Sequence, residues 1–167
     1  MVLATMHDLM IAELKDLHGA ETQLVTARPG MVNGAATPSL RTPFGHHLEP
    51  THKHVARLGV TFDILGLSAR GTKCKGLQGL LTEGAQMLDQ DGDDTASSAD
   101  IIASSHRVEH HTIAFYASTL AFATLMRHSD IAEFLELTLN EKKEADELLS
   151  TIADREVNSA APCMKMT

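Results

Sequence analysis

Apolar residues return every three or four positions along most of the chain, the spacing that places side chains on one face of a helix. From about Met6 the run Met10, Leu14, Leu17, Glu21 and Leu24 alternates steps of four and three, so a carboxylate shares a stripe with four apolar residues. Pro29-Gly30 is expected to stop or kink this helix, since proline removes an internal hydrogen bond and glycine favours an ending. Thr37-Pro38 predicts the next start, with Thr37 as N-cap and Pro38 at the first helical position. Phe44, Leu48, Val55, Leu58, Phe62 and Leu65 make its stripe, which Gly66 closes, and residues 66–73 read as a loop. A shorter amphipathic helix carries Leu77, Leu80, Leu81, Met87 and Leu88. A fourth helix starts near Ser97 or Ser98, with Ile102, Glu109, Ile113, Tyr116, Leu120 and Ala123 on one side. After a turn near His128, Ser129-Asp130 is expected to cap a fifth, whose inner side reads as Ile131, Leu135, Thr138, Glu141, Ala145, Leu148 and Ile152.

Aromatic and β-branched runs are sparse, so the class is all-α. Two hairpins of long helices, joined by a crossover that contains the short third helix, predict a ferritin-like antiparallel four-helix bundle. The expected division is a bundle over residues 1–156 and a flexible polar tail over 157–167. The 167 residues suit one domain.

Charge narrows the partners. Fourteen Lys plus Arg against 22 Asp plus Glu give a formal charge of -8, which repels nucleic acid and anionic membrane surfaces. Ten histidines among those acids offer ligands for a metal ion. Asp8, Glu13, Lys15, Asp16 and Glu21 interrupt the first 24 residues, which therefore predict neither a signal peptide nor a membrane span. Cys74 and Cys163 form no Cys-x-x-Cys, so a reducing cytoplasm and a buried structural thiol at Cys74 are expected. Cys163 is one place off a prenylation box. The acidic turn from Asp89 to Asp94 has its glycine fourth rather than sixth, which does not suit a calcium-binding EF-hand loop.

Glu21, Glu109 and Glu141 each interrupt an apolar face, where an ionised carboxylate needs a compensating positive charge. A metal ion supplies one. Glu49 and His52, three residues apart, share a face of the second helix and can bind one ion together. Bridging carboxylates from several helices would neutralise and position two divalent irons. On the fifth helix Glu141, Glu144 and Asp146 are alternative ligands. His106 and His110 are candidate ligands or ligand-orienting partners, with hydrogen-bonded surface histidine as the plainer reading. Tyr116 is expected to pack in the core or to hydrogen-bond a ligand carboxylate.

Specific strings then resemble the YciE/YciF family of ferritin-like, rubrerythrin-related proteins. They are the stretch from Glu13 to Leu24; His47-Leu48-Glu49-Pro50-Thr51-His52; Arg57-Leu58; Lys73-Cys74; Gly79 to Glu83; Val108-Glu109-His110; Ile113-Ala114; Tyr116; and Thr138-Leu139 with Glu141, Lys143 and Asp146. The resemblance runs from about residue 6 to 153. It implies a dimeric bundle associated with bacterial stress responses, and metal ligands at Glu21, Glu49 with His52, Glu109, and Glu141 with Glu144. The chain departs from the family where Pro50 and Thr112 stand in place of glutamates, and Gln78 and Thr82 in place of acids on the third helix. Pro50 is expected to kink the second helix beside Glu49.

Two functions follow as expectations. An intact site would hold iron as a di-iron pair, with manganese or zinc as alternatives, and react with oxygen or peroxide as a ferroxidase or peroxide scavenger. A degraded site would leave a non-catalytic helical homodimer acting as a structural or interaction protein. No Cys-x-x-Cys module supplies an electron relay.

Overall fold

The computed structural model describes residues 4–34, 48–88 and 94–160. The described chain is all helical, in the order α1 Met6–Gly34, α2 Leu48–Ile64, α3 Lys75–Leu88, α4 Asp94–Leu125 and α5 Ser129–Ile152. The four long helices form the antiparallel bundle that the apolar periodicity predicts, and α3 lies in the crossover between the two hairpins, packed on α1 and α4. Met10, Leu14 and Leu17 of α1 meet Leu58 and Phe62 of α2, Tyr116 and Ala123 of α4, and Ile131 and Leu135 of α5 in one central core. Ala20 and Leu24 continue the α1 stripe into a second cluster with Cys74, Leu77 and Val108, which ties the crossover down.

Backbone geometry fixes the turns. Gly66 takes φ +65° after α2, a left-handed conformation that costs glycine nothing, and Leu67 N–H returns to Phe62 O at 2.9 Å. Between α4 and α5 the left-handed residue is Arg127, and His128 N–H reaches back to Ala123 O at 3.0 Å. Gly19 allows the loop before α3 to lie directly on α1: a Cβ there would stand 1.6 Å from Thr72 O. Thr72 donates its N–H to Lys15 O and its hydroxyl to Asp16, which seats the loop on the helix.

Several expected boundaries move. α1 continues through Pro29 to Gly34. Pro29 and Gly30 lie on the exposed side, where water can bond the carbonyl that proline leaves unpaired. Pro50 is the third described residue of α2, and the helix runs on past it to Ile64. α4 begins at Asp94, ahead of Ser97, and α5 has His128 as N-cap without a side-chain cap bond, so Ser129-Asp130 forms its first turn. Past Ile152, a π-helical turn Ala153–Val157 and a 3-10 turn Asn158–Ala160 extend the helical structure. Val157 is buried against Ile101, Ile102, Leu149 and Ile152, so bundle packing reaches beyond the expected limit at residue 156. The expected cap at Thr37-Pro38, the side chains of Phe44 and Leu48, the acidic stretch 89–93 and Cys163 lie outside the described residues or side chains.

Candidate functional site: a buried charge network

Each long helix sends a charged or imidazole side chain into the bundle: Glu21 from α1, His54 from α2, Glu109 from α4 and Lys142 from α5, all buried. The Lys142 ammonium lies between the two carboxylates, 3.1 Å from Glu21 Oε1 and 3.6 Å from Glu109 Oε2. His54 Nδ1 stands 3.5 Å from Glu21 Oε2, while its Nε2 faces Glu141 Oε2 at 2.8 Å. Arg57 makes a forked pair with Glu141, with Nη2 donating to Oε1 at 2.8 Å, and so closes the network at the bundle surface.

Electrostatics keep the Glu21 carboxylate ionised. Burial pushes the Glu21 carboxyl up, but the Lys142 charge and the His54 hydrogen bond outweigh it and bring its pKa down to about 2. The Arg57 fork holds Glu141 below the usual carboxylate range, helped by His54 against a burial penalty. Tyr116, fully buried, has its phenol pushed well above its ordinary value by burial and by the neighbouring Glu21 charge, so it stays protonated. Thr112 donates to the Glu109 carbonyl at 2.9 Å, a hydroxyl satisfied within its own helix.

A cavity of about 250 Å³ opens beside the network, bounded by Pro50, Thr51, His54, Glu109, Glu141, Lys142, Glu144, Ala145 and Leu148. A larger one of about 420 Å³, between α1, α3 and α4, is lined by apolar and small residues with no titratable group.

The expected ligands separate into three groups. Glu21 and Glu109 come together in the interior. Glu141 sits at the edge, engaged by Arg57 and His54. Glu49, His52 and Glu144 are exposed, and Glu49 pairs with Lys53 on its own helix at 3.1 Å. Glu49 and His52 fail to converge with the others because α2 turns Thr51, His54 and Leu58 inward, leaving them on the outer side. With an ammonium between the two inner carboxylates, a hydroxyl at Thr112 and no inward Glu49-His52 pair, these residues as placed do not fit a di-iron pair. Sequence reading missed Lys142 and gave its inward place to Glu141, one residue away.

Cys74 is buried as expected, with its Sγ 3.6 Å from His111 Nε2. His106 and His110 both face Asp146 across the α4–α5 groove.

The sequence family described as a domain of unknown function, DUF892, matches residues 5–162. This chain belongs to the DUF892 family. Its YciE/YciF character is borne out by Protein YciF of Escherichia coli K12, to which the DUF892 chain is 30% identical over 162 residues, covering 96% of this chain and 98% of the relative. The crystal structure of that E. coli stress protein superposes with a TM-score of 0.89 at 29% identity, covering 93% of this chain and 98% of the other. YcfI from Rhodopseudomonas palustris, described provisionally as a structural protein, superposes with a TM-score of 0.87 at 36% identity, covering 90% and 96%. No described helix of the DUF892 bundle is long and apolar enough to cross a membrane.

Proposed function

We propose that this protein is a non-catalytic, stress-associated helical homodimer of the cytoplasm, in which an internal ion network takes the place of a metal centre. One observation carries the reading: Lys142 Nζ lies between Glu21 and Glu109 and supplies the positive charge that buried carboxylates require. With every long helix contributing at least one network residue, the charges act as a cross-brace of the bundle. The relatives agree in kind, since YciF is a stress protein and YcfI is provisionally a structural one.

The di-iron ferroxidase or peroxide-scavenging reading has one observation in its favour, the cavity that reaches His54 and Glu109. It requires Lys142 to leave both carboxylates before iron, manganese or zinc can enter. Anaerobic ferrous loading followed by removal of excess metal separates the two readings. Iron content that is the same in the native protein and in Glu109→Ala supports the ion network. About two irons per native chain, lost in Glu109→Ala, would establish the di-iron reading instead. Sedimentation of the native protein tests the homodimer.

A further inference from the structure

His106 and His110 stand one turn apart on α4, where a separation of four residues puts both imidazoles on the same face. Their ring centroids are 6.1 Å apart. Asp146 reaches them from α5, with Oδ1 2.6 Å from His106 Nδ1 and Oδ2 3.3 Å from His110 Nε2. One ligand atom from each residue can be chosen so that all lie within 4.8 Å of one another. Among the described residues this is the group of histidine, cysteine and acidic side chains gathered closely enough to share an ion.

We propose that His106, His110 and Asp146 form a binding site for a borderline divalent cation, with zinc the best match. Two imidazoles and a carboxylate suit zinc and its first-row neighbours better than magnesium or calcium, which take oxygen ligands. A tetrahedral zinc with bonds of about 2.0 Å separates its ligand atoms by roughly 3.3 Å. The His110–Asp146 contact already has that spacing, at 3.3 Å. The His106–Asp146 contact, at 2.6 Å, is a hydrogen bond that the metal would replace, taking the Nδ1 lone pair while the ring proton sits on Nε2, and binding would open that pair slightly. Both partner elements are long helices packed on each other, so the donors are held in advance of the ion. The side chain of His110 is 66% exposed and that of Asp146 is 17%, which leaves an entry path and room for water as a fourth ligand.

The site differs from the interior in the feature that decides occupancy. Glu21 and Glu109 have an ammonium between them, whereas no Lys or Arg ion pair to Asp146 stands among the described residues. The inference is therefore independent of whether iron enters the bundle.

The test is zinc titration of the tag-free, chelator-stripped protein against a chromogenic chelator, with thermal melts alongside. The native protein should take up one zinc per chain and melt higher with zinc than without it. Loss of even an outer partner of a metal ligand weakens binding about tenfold, so His106→Gln and Asp146→Asn should each weaken zinc by at least that factor. Both variants should lose the zinc-dependent rise in melting temperature, and magnesium should not compete. His52→Gln, which removes an exposed histidine elsewhere, should bind as the native protein does. The proposal is overturned if the native protein takes up no stoichiometric zinc, or if His106→Gln and Asp146→Asn bind it as tightly as the native chain.

Discussion

With its ammonium 3.1 Å from Glu21 and 3.6 Å from Glu109, Lys142 offsets the cost of holding two carboxylates away from water. Breaking a buried ion pair by removing one partner typically costs about 3–5 kcal/mol, because the charge left behind has no compensation. Lys142→Met should therefore destabilise the protein by about that amount in urea unfolding. Adding Glu21→Gln to Lys142→Met should recover part of the loss, since the second change removes one of the stranded charges; a strictly additive double variant would show that the pair is not coupled. Acid should act through Glu21 as well. Its folded pKa of about 2 lies below the usual carboxylate value of 4.5, so its contribution is fully present above about pH 4.5 and is lost as pH falls towards 2. A shift of that size corresponds to stability on the order of 3 kcal/mol. Melting curves between pH 6 and about pH 2 should show that loss in the native protein and a shallower one in Glu21→Gln.

At the scale of elements, helical phase decides which residues meet. On α1 the steps of four and three that place Glu21 among Met10, Leu14, Leu17 and Leu24 could be read directly, and all five side chains are buried. The same alternation on α5 runs Ile131, Leu135, Thr138, Lys142, Ala145, Leu149 and Ile152, every one buried. Choosing Glu141 and Leu148 instead shifts part of the stripe by one residue, about 100° of rotation, and exchanges the inward lysine for an edge glutamate. His54 was equally legible, four residues before Leu58, whereas Glu49 lies half a turn from Leu58 and could not share its face. The approach of the crossover to α1 left no periodic trace beyond a glycine. Gly19→Ala should displace the loop at Thr72, because backbone cannot yield as a flexible side chain can. We expect a loss of about 1–3 kcal/mol or more in chemical denaturation, with hydrogen exchange at Thr72 N–H accelerated.

For the molecule as a whole, the interior network and the surface histidines predict different responses to metal. Ferrous ion added anaerobically should leave the melting temperature of Glu109→Ala and of the native protein shifted equally, because an ion that binds outside the core stabilises both alike. A rise confined to the native protein would mean that metal enters between Glu21 and Glu109. By itself, the sequence determined the helical class, the apolar stripe of α1 and most of that of α5, the glycine stop at Gly66 and the presence of carboxylates on inner faces, because these follow from local periodicity and backbone preference. Tertiary structure decided which charge answers those carboxylates, since Glu21 and Lys142 are 121 positions apart and their meeting depends on the rotation and height of packed helices. It likewise brought Asp146 to His106, 40 positions away, because only the packing of α4 on α5 places their side chains in one groove.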